Sequence, residues 1–493
     1  MKARFHLLFL LTALIGHAGW SQTESTLYFM NSLPQVVEAN PAIMPRYKLS
    51  IGLPGISSVA GVYTNNGFSY DDLISKTNGV TNADLSKWTQ GLAEKNYVAL
   101  AGQVDLLRFG YRVKPNLYLM FSSTVKGYNS TMIEKGLALL LVDGTSSFVN
   151  SYTNTSPEEE AIAFMQTAIG AAYQVNQKLT VGGRLKYING ISNVTTESSS
   201  LIIEVGDTYQ ITATGAARVR SSGISSLNKS GNDFGNYLAD SFSNSGFGMD
   251  LGATYKFVDK LTVGASITDF GFITWKNDTK LYTLDPAKAK YTFAGFDINK
   301  LLNNDKGYLE AQKDSIQSRF EMQESSSGSY TTSLPTKFYL SGNYELTNTF
   351  SVGALFFGEQ FGSRFSTGMT AAVNKNFGKI VSTSLTYTVS NRSYNNIGLG
   401  VSFNMQPVQL FFVGDNLLMA PVSLAADQNL NAYINSTQLL TLRAGLNIVF
   451  GWDKGISKES RTEDKSHNPK SNSSNAKVKS TYGRSPEKPK KKK

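Results

Sequence analysis

The chain has 493 residues, a formal net charge of +10 and no cysteine, which excludes disulfides, thiol catalysis and a lipoprotein anchor. Of its three histidines, His6 and His17 lie in the leader and His467 in the tail. The body therefore cannot build a Ser-His-Asp triad, a His-ligated zinc site or a histidine general base. Residues 453–493 hold 13 Lys or Arg against 5 Asp or Glu, so eight of the ten net charges are theirs; Lys2 and Arg4 supply the other two, and residues 22–452 are neutral. A neutral body has no basic field for nucleic acid.

Residues 1–21 read as a secretory signal. Lys2 and Arg4 precede the apolar run from Phe5 to Ile15, and Gly19 and Ser21 place small residues before a cut at Gln22. The run is too short to span a bilayer as a helix. Residues 22–46 follow, with Leu27, Tyr28, Phe29, Val36 and Val37 forming either a small plug in a barrel mouth or an ordered lead-in against its rim.

From 47 to 452 the pattern is period two, with no later apolar stretch near the ~20 residues of a spanning helix. Leu179, Val181, Gly183, Leu185 and Tyr187 alternate with Thr180, Gly182, Arg184 and Lys186. Phe247, Met249, Leu251, Ala253, Tyr255 and Phe257 likewise oppose Gly248, Asp250, Gly252, Thr254 and Lys256. About fourteen strands are expected, near 47–62, 96–113, 116–127, 159–175, 178–191, 246–258, 260–276, 333–346, 349–360, 362–375, 379–391, 395–406, 408–417 and 438–451. An extra hairpin is expected at 199–217 within a loop.

Four hairpins share one design: YRVKPNLYL (111–119), YQVNQKLTV (173–181), YKFVDKLTV (255–263) and YELTNTFSV (344–352). Each sets a Tyr six positions before a Leu or Phe across a short polar turn. Tyr111, Tyr173, Tyr255 and Tyr344 thus fall at one height, as an interfacial girdle requires. The opposite ends of several of these strands lead into long polar loops near 63–95, 128–158, 192–246, 277–332 and 418–437. Short turns on one side and long loops on the other mark an outer-membrane barrel, and closure satisfies every strand edge in hydrocarbon. The expected fold is all-β: a transmembrane antiparallel β-barrel with a small N-terminal plug-like segment and helical patches in its loops.

Those patches are 82–95, with Asp84 as N-cap, 233–242 and 306–323; they either gate the lumen or pack over its top. Glu158, Glu159 and Glu160 read as a solvated strand entrance. The last strand closes on Phe450 and Trp452, and the Ser-, Pro- and Lys-rich tail from Asp453 cannot bury a core. Its periplasmic charge either stays solvated or meets an acidic partner.

The lumen face collects Arg184, Lys186, Asp250, Lys256 and Arg443, with Asp269 and Asp415 near strand ends. Such a set serves a structural charge network or binds a polar solute. No catalytic, metal or cofactor set emerges.

The stretch EANPAIMPRYKLSIGLPGISSV (38–59) resembles the N-terminal signature of uncharacterised outer-membrane barrels common in Bacteroidota, through Asn40, Pro41, Ala42, Pro45, Ile51, Gly52, Leu53 and Pro54. LPTKFYLSGNYEL (334–346) and VQLFFVGDNLL (408–418) look like the same family and resemble barrels accompanying type IX secretion and gliding. More distantly, the Asn-Pro-Ala and the strand number resemble long-chain fatty-acid transporter barrels. Three functions follow. A non-enzymatic accessory or scaffold in an envelope complex, with periplasmic or outer-membrane protein partners, is what the nearer resemblance implies. A transporter of small hydrophobic molecules, with an apolar pocket near 27–45, is what the distant one implies. An enzyme would need an unusual carboxylate or lysine site using Asp250 or Lys256, and ranks last. Outer-membrane lipid is the common surrounding of all three.

Overall fold

The computed structural model describes residues 25–66, 74–77, 80–83, 85–143, 148–208, 210–224, 243–293, 306–362, 364–390, 393–416 and 439–452. The expected signal, the tail, Asp84 and the patch at 233–242 lie outside these residues. The barrel has fourteen antiparallel strands. Strand β1 comes in two pieces, Tyr47–Gly52 and Val59–Asn65; then follow β2 (Lys95–Lys114), β3 (Leu117–Glu134), β4 (Glu158–Gln174), β5 (Leu179–Val205), β6 (Ser245–Val258) and β7 (Leu261–Trp275). The second half is β8 (Thr336–Thr347), β9 (Phe350–Phe361), β10 (Arg364–Phe377), β11 (Val381–Ser390), β12 (Ser393–Met405), β13 (Val408–Asp415) and β14 (Leu439–Trp452). Strand β14 pairs with both pieces of β1, from Tyr47↔Trp452 to Thr64↔Leu439, and closes the ring.

Alternation sorts the side chains. On β5, Leu185 and Tyr187 face outward and exposed while Arg184 and Lys186 are buried inside. Phe247, Leu251, Leu340, Phe377 and Phe412 continue the exposed apolar outer face. Tyr111, Tyr173, Tyr255 and Tyr344 are all exposed, and their register partners Leu119, Leu117, Leu179 and Leu261 lie beside the short turns. That is one ring of amphipathic side chains at one membrane interface. A closed ring with an apolar exterior has all its backbone groups paired in hydrocarbon, and the protein resides in the outer membrane. Among the described residues no helix is long and apolar enough to cross a membrane.

One feature departs from the expected plan. The upper parts of the strands rise well past the ~9–11 residues that cross a bilayer: β5 alone has 27 residues. The extra hairpin expected at 199–217 is present: the top of β5 pairs antiparallel with a further strand, Ile211–Ser222, from Ile211↔Val205 to Ser222↔Asn193. Not every upper connection is long, since only residues 362–363 join β9 to β10 and 391–392 join β11 to β12. Loop helices occupy Leu85–Gly91 and Lys306–Arg319, within two of the expected patches, and also Lys135–Asp143.

Among the described residues the strand β1 is interrupted within the wall. Gly52 faces Asn447 and Val59 faces Ala444, so residues 53–58 lie opposite only Gly445 and Leu446. The excess chain stays tied to its neighbours. The Gly55 N–H, at φ +72°, donates to Asp105 O at 2.9 Å, and the Leu446 N–H donates to Ile56 O at 2.8 Å. At Gly445 a Cβ would stand 2.1 Å from Ser57 O, so only glycine fits. Leu53 and Ile56 point outward and exposed.

Candidate functional site

The lumen is occupied in its lower part by the segment between Ser25 and Met44. Helix α1 (Ser25–Phe29) and a 3-10 turn, Pro34–Glu38, present Leu27, Tyr28, Leu33, Val36 and Val37 to the barrel interior, all buried. We call this segment the hatch. Its apolar residues pack against inward side chains of several strands: Leu27, Met30 and Leu33 on Phe411 and Val413, Phe29 on Leu355 and Phe357, and Val36 and Val37 on Tyr118 and Met120. Burial of each such side chain stabilises by roughly 1.5–3 kcal/mol.

Glycines let the hatch touch the wall. A Cβ at Gly182 would stand 2.2 Å from Pro41 O, and one at Gly252 2.2 Å from Asn40 Oδ1. Asn40 explains the Asn-Pro-Ala motif locally: its Oδ1 accepts the Ala42 N–H at 2.9 Å, and its Nδ2 donates to the Tyr28 hydroxyl at 3.2 Å. At the other end Asp415 Oδ1 accepts from Ser25 Oγ at 2.9 Å and Thr26 Oγ1 at 2.5 Å. Gln35 bridges the hatch to Ser57 O at 3.0 Å and Asn447 Oδ1 at 2.9 Å.

The strongest tie is ionic. Glu38, at the end of the 3-10 turn, pairs with Arg108 of β2 and with Arg443 of β14, the latter at 3.3 Å, and accepts from Gln103 Nε2 at 2.8 Å. Burial pushes the Glu38 carboxyl up, but Arg108 and Arg443 outweigh it and hold the group well below the usual carboxylate range. Arg108 also bonds Asp105 at 2.8 Å, and Arg443 donates to Ser58 Oγ at 2.8 Å. Asp105, Ser57 and Ser58 belong to the interrupted part of the wall, so one cluster joins hatch and interruption.

A second network sits above the first. Lys186 bridges Asp250 at 2.5 Å and Asp269 at 2.6 Å; Arg184 pairs with Asp250 at 3.1 Å and Lys126 with Asp269 at 3.0 Å. Asp250 is inward by ordinary alternation, and an irregularity in the β6–β7 register, where Met249 faces Phe270 but Leu251 faces Ile267, turns Asp269 inward beside it. Asp269 adopts φ +56° there, and its N–H donates to Asp250 Oδ1 at 2.7 Å.

Of the residues expected inside, the structure thus places Arg184, Lys186 and Asp250 in one network and Arg443 in the other. Lys256 is corrected. It has inward parity but lies near the β6–β7 turn, partly exposed, paired with Asp259 at 3.8 Å; its height takes it out of the packed lumen. Glu38, Asp105 and Arg108 were missed. Glu38 sits in a segment whose apolar residues dominate the eye, and the Asp105/Leu107 register shift brings Asp105 and Arg108 to one face against simple alternation. Asp269 and Asp415, read only as strand-end residues, are a network centre and the anchor of α1.

Between hatch and upper lumen lies a small cavity of about 40 Å³. Leu27, Glu38 and Ala39 form its floor, while Lys126, Asp269, Lys337 and Arg443 are among its walls. Above it Tyr128, Ile162, Phe164, Ile188, Trp275 and Phe361 converge from five strands as an apolar roof. The expectation of an apolar pocket near 27–45 is therefore revised: the hatch residues floor the space, charged groups surround it, and the apolar cluster lies higher. Among the described residues no group of His, Asp or Glu is placed to hold a metal ion.

Solved barrels of similar form include the toluene transporter TbuX of Ralstonia pickettii, at 11% identity and a TM-score of 0.40, covering 88% of this chain and 96% of that one. A FadL homologue of Pseudomonas aeruginosa is 10% identical at a TM-score of 0.37, covering 89% and 97%. The toluene transporter TodX of P. putida is 10% identical at 0.35, covering 88% and 94%. No curated protein sequence matches this chain. The family of unknown function DUF5723 matches residues 41–415, and the chain belongs to it.

Proposed function

We propose that this barrel is a transporter that admits small hydrophobic or amphipathic molecules across the outer membrane and catalyses no reaction. The observation that carries the reading is a cavity in the lumen between an apolar cluster and a separate hatch. Its volume of about 40 Å³ is well below the roughly 300–1,000 Å³ typical of small-molecule sites, so a solute is admitted only when the hatch shifts and widens it. The hatch is a chain segment held by side-chain contacts and has no strand pairing of its own, so it is the part of the lumen free to move without breaking the barrel ladder. The interrupted wall at 53–58 is hydrogen-bonded on both sides, which makes the lumen, not the wall, the route. The reading rests on the lumen and not on the names of similar barrels. The scaffold role expected from the sequence, with its link to type IX secretion and Bacteroidota, draws on no feature of the described barrel, and transport takes its place.

The test is uptake of a radiolabelled monoaromatic solute by proteoliposomes containing the purified barrel. Faster uptake than in protein-free vesicles, increased further by Glu38→Gln, is the expected result. Identical uptake with and without the protein, for native and variant alike, removes the proposal.

A further inference from the structure

The upper lumen contains two cations that stand outside the ion pairs of the networks below. Lys337 of β8 lines the cavity. Its ammonium stands 5.7 Å from the centre of the Tyr128 ring and forms no ion pair or hydrogen bond among the described residues. Arg364 of β10 is buried; its Nη1 donates to Ser130 Oγ at 2.8 Å and its guanidinium lies 5.7 Å from the Tyr97 ring centre. Its Nε and Nη2 are buried without a hydrogen-bond partner among the described residues. These two N–H groups leave the guanidinium along one edge, as a fork that matches the two oxygens of a carboxylate.

The two cations are neighbours by two independent routes. Tyr128 and Ser130, which they meet on β3, are two positions apart on one strand face, about 7 Å. On the other side Lys337 is the register partner of Glu359, and Glu359 that of Ser366, two residues from Arg364. Glu359 acts electrostatically on both cations. The Ser366 hydroxyl, also buried, has no hydrogen-bond partner among the described residues. Lys337 also lies in the field of Asp269, but five cations (Lys126, Arg184, Lys186, Lys337 and Arg364) face three carboxylates (Asp250, Asp269 and Glu359), so positive charge is in excess beside the rings of Tyr128 and Phe361, whose centres are 6.0 Å apart. Buried charged donors left unfilled cost folding free energy and call for an anion.

We propose that Lys337 and Arg364 form a binding site for a small carboxylate, so that the solute admitted is a monoanion on an apolar body and not a neutral hydrocarbon. Arg364 takes the carboxylate on its free fork, Lys337 supplies the second charge, and the Tyr128 and Phe361 rings meet the apolar body. That the carboxylate is a transported solute rests on the transport reading; that it binds does not.

Titration calorimetry on the purified full-length barrel in detergent, with benzoate and its neutral isostere benzamide, tests the site. Benzoate is expected to bind at least tenfold more tightly than benzamide. Arg364→Gln removes that preference, Arg364→Lys restores part of it, and Lys337→Met weakens benzoate several-fold. Glu359→Gln, which removes the competing carboxylate, tightens benzoate at least threefold and keeps the test decisive if Arg364 variants fail to fold. Heat-modified gel mobility reports folding of each variant. Equal affinity for both probes, or a benzoate affinity unmoved by Glu359→Gln, overturns the site. Benzoate binding without uptake keeps the site and removes transport; uptake of toluene without benzoate binding does the reverse.

Discussion

The lower and upper halves of the lumen hold similar residues in opposite states. Below, Glu38, Asp105, Arg108 and Arg443 are joined by ion pairs, and the hatch is part of the bargain: Glu38 bridges Arg108 and Arg443. Above, Lys337 and Arg364 share Glu359, and Arg364 keeps two buried donors unfilled. A buried charge that is fully paired serves to hold parts in place, whereas one with donors to spare is a place for something else to bind. The comparison teaches that charge in a barrel lumen is not one property; its saturation separates a lock from a site.

The largest effect belongs to the lock. Arg108→Met leaves Asp105 and Glu38 in the lumen with fewer partners, and breaking such buried pairs costs about 3–5 kcal/mol; the midpoint of urea unfolding in detergent should fall accordingly. Glu38→Gln is milder, about 1–3 kcal/mol, and selective: hydrogen exchange should accelerate across 25–40 while the barrel ladder stays protected. If ladder and hatch lose protection together, the two do not form separable parts.

Acidification tests the same contact by another route. The Glu38 carboxyl is held below its ordinary value in the folded protein, so its contribution is fully present above the unfolded pKa of about 4.3. It fades only as pH falls from there through the depressed folded value. Hatch protection should therefore be flat from neutral pH down to about 5 and decline below about 4. A loss of protection nearer neutrality would mean that another group controls the hatch.

Gly182→Ala sets a methyl group against the Pro41 carbonyl and should cost about 1–3 kcal/mol, read again as faster exchange in the hatch. Upper-lumen changes should look different. Lys337→Met removes a charge without an ion pair and should leave stability unchanged or raise it by about 1 kcal/mol, a result that thermal unfolding can check against Arg108→Met. Lys256→Gln, at the exposed turn, should change stability by less than about 0.5 kcal/mol.

What the sequence determined by itself was the wall. Period-two alternation over 47–452 located the strands, because lipid outside and a packed polar lumen inside impose opposite chemistries on successive residues. The four Tyr-bearing hairpins set one interface, because a ring at the end of each spanning strand has only one favourable depth. Arg184, Lys186, Asp250 and Arg443 were legible as inward residues from parity alone. Parity says nothing of height, which is why Lys256 was grouped with them though it ends beside Asp259 near a turn.

Only the tertiary structure decided which inward groups meet. Glu38 reaches Arg108 and Arg443 from a segment with no periodicity to read, and its partners lie 70 and 405 positions away in sequence. Register irregularities at Asp105/Leu107 and at Met249/Leu251 turn Asp105 and Asp269 toward their partners, and a shift of one residue is invisible to a pattern that counts by twos. The saturation of Glu38 and the spare donors of Arg364 depend on distances across the ring. Alternation fixes the face a side chain occupies, but only closure of the barrel fixes what stands opposite.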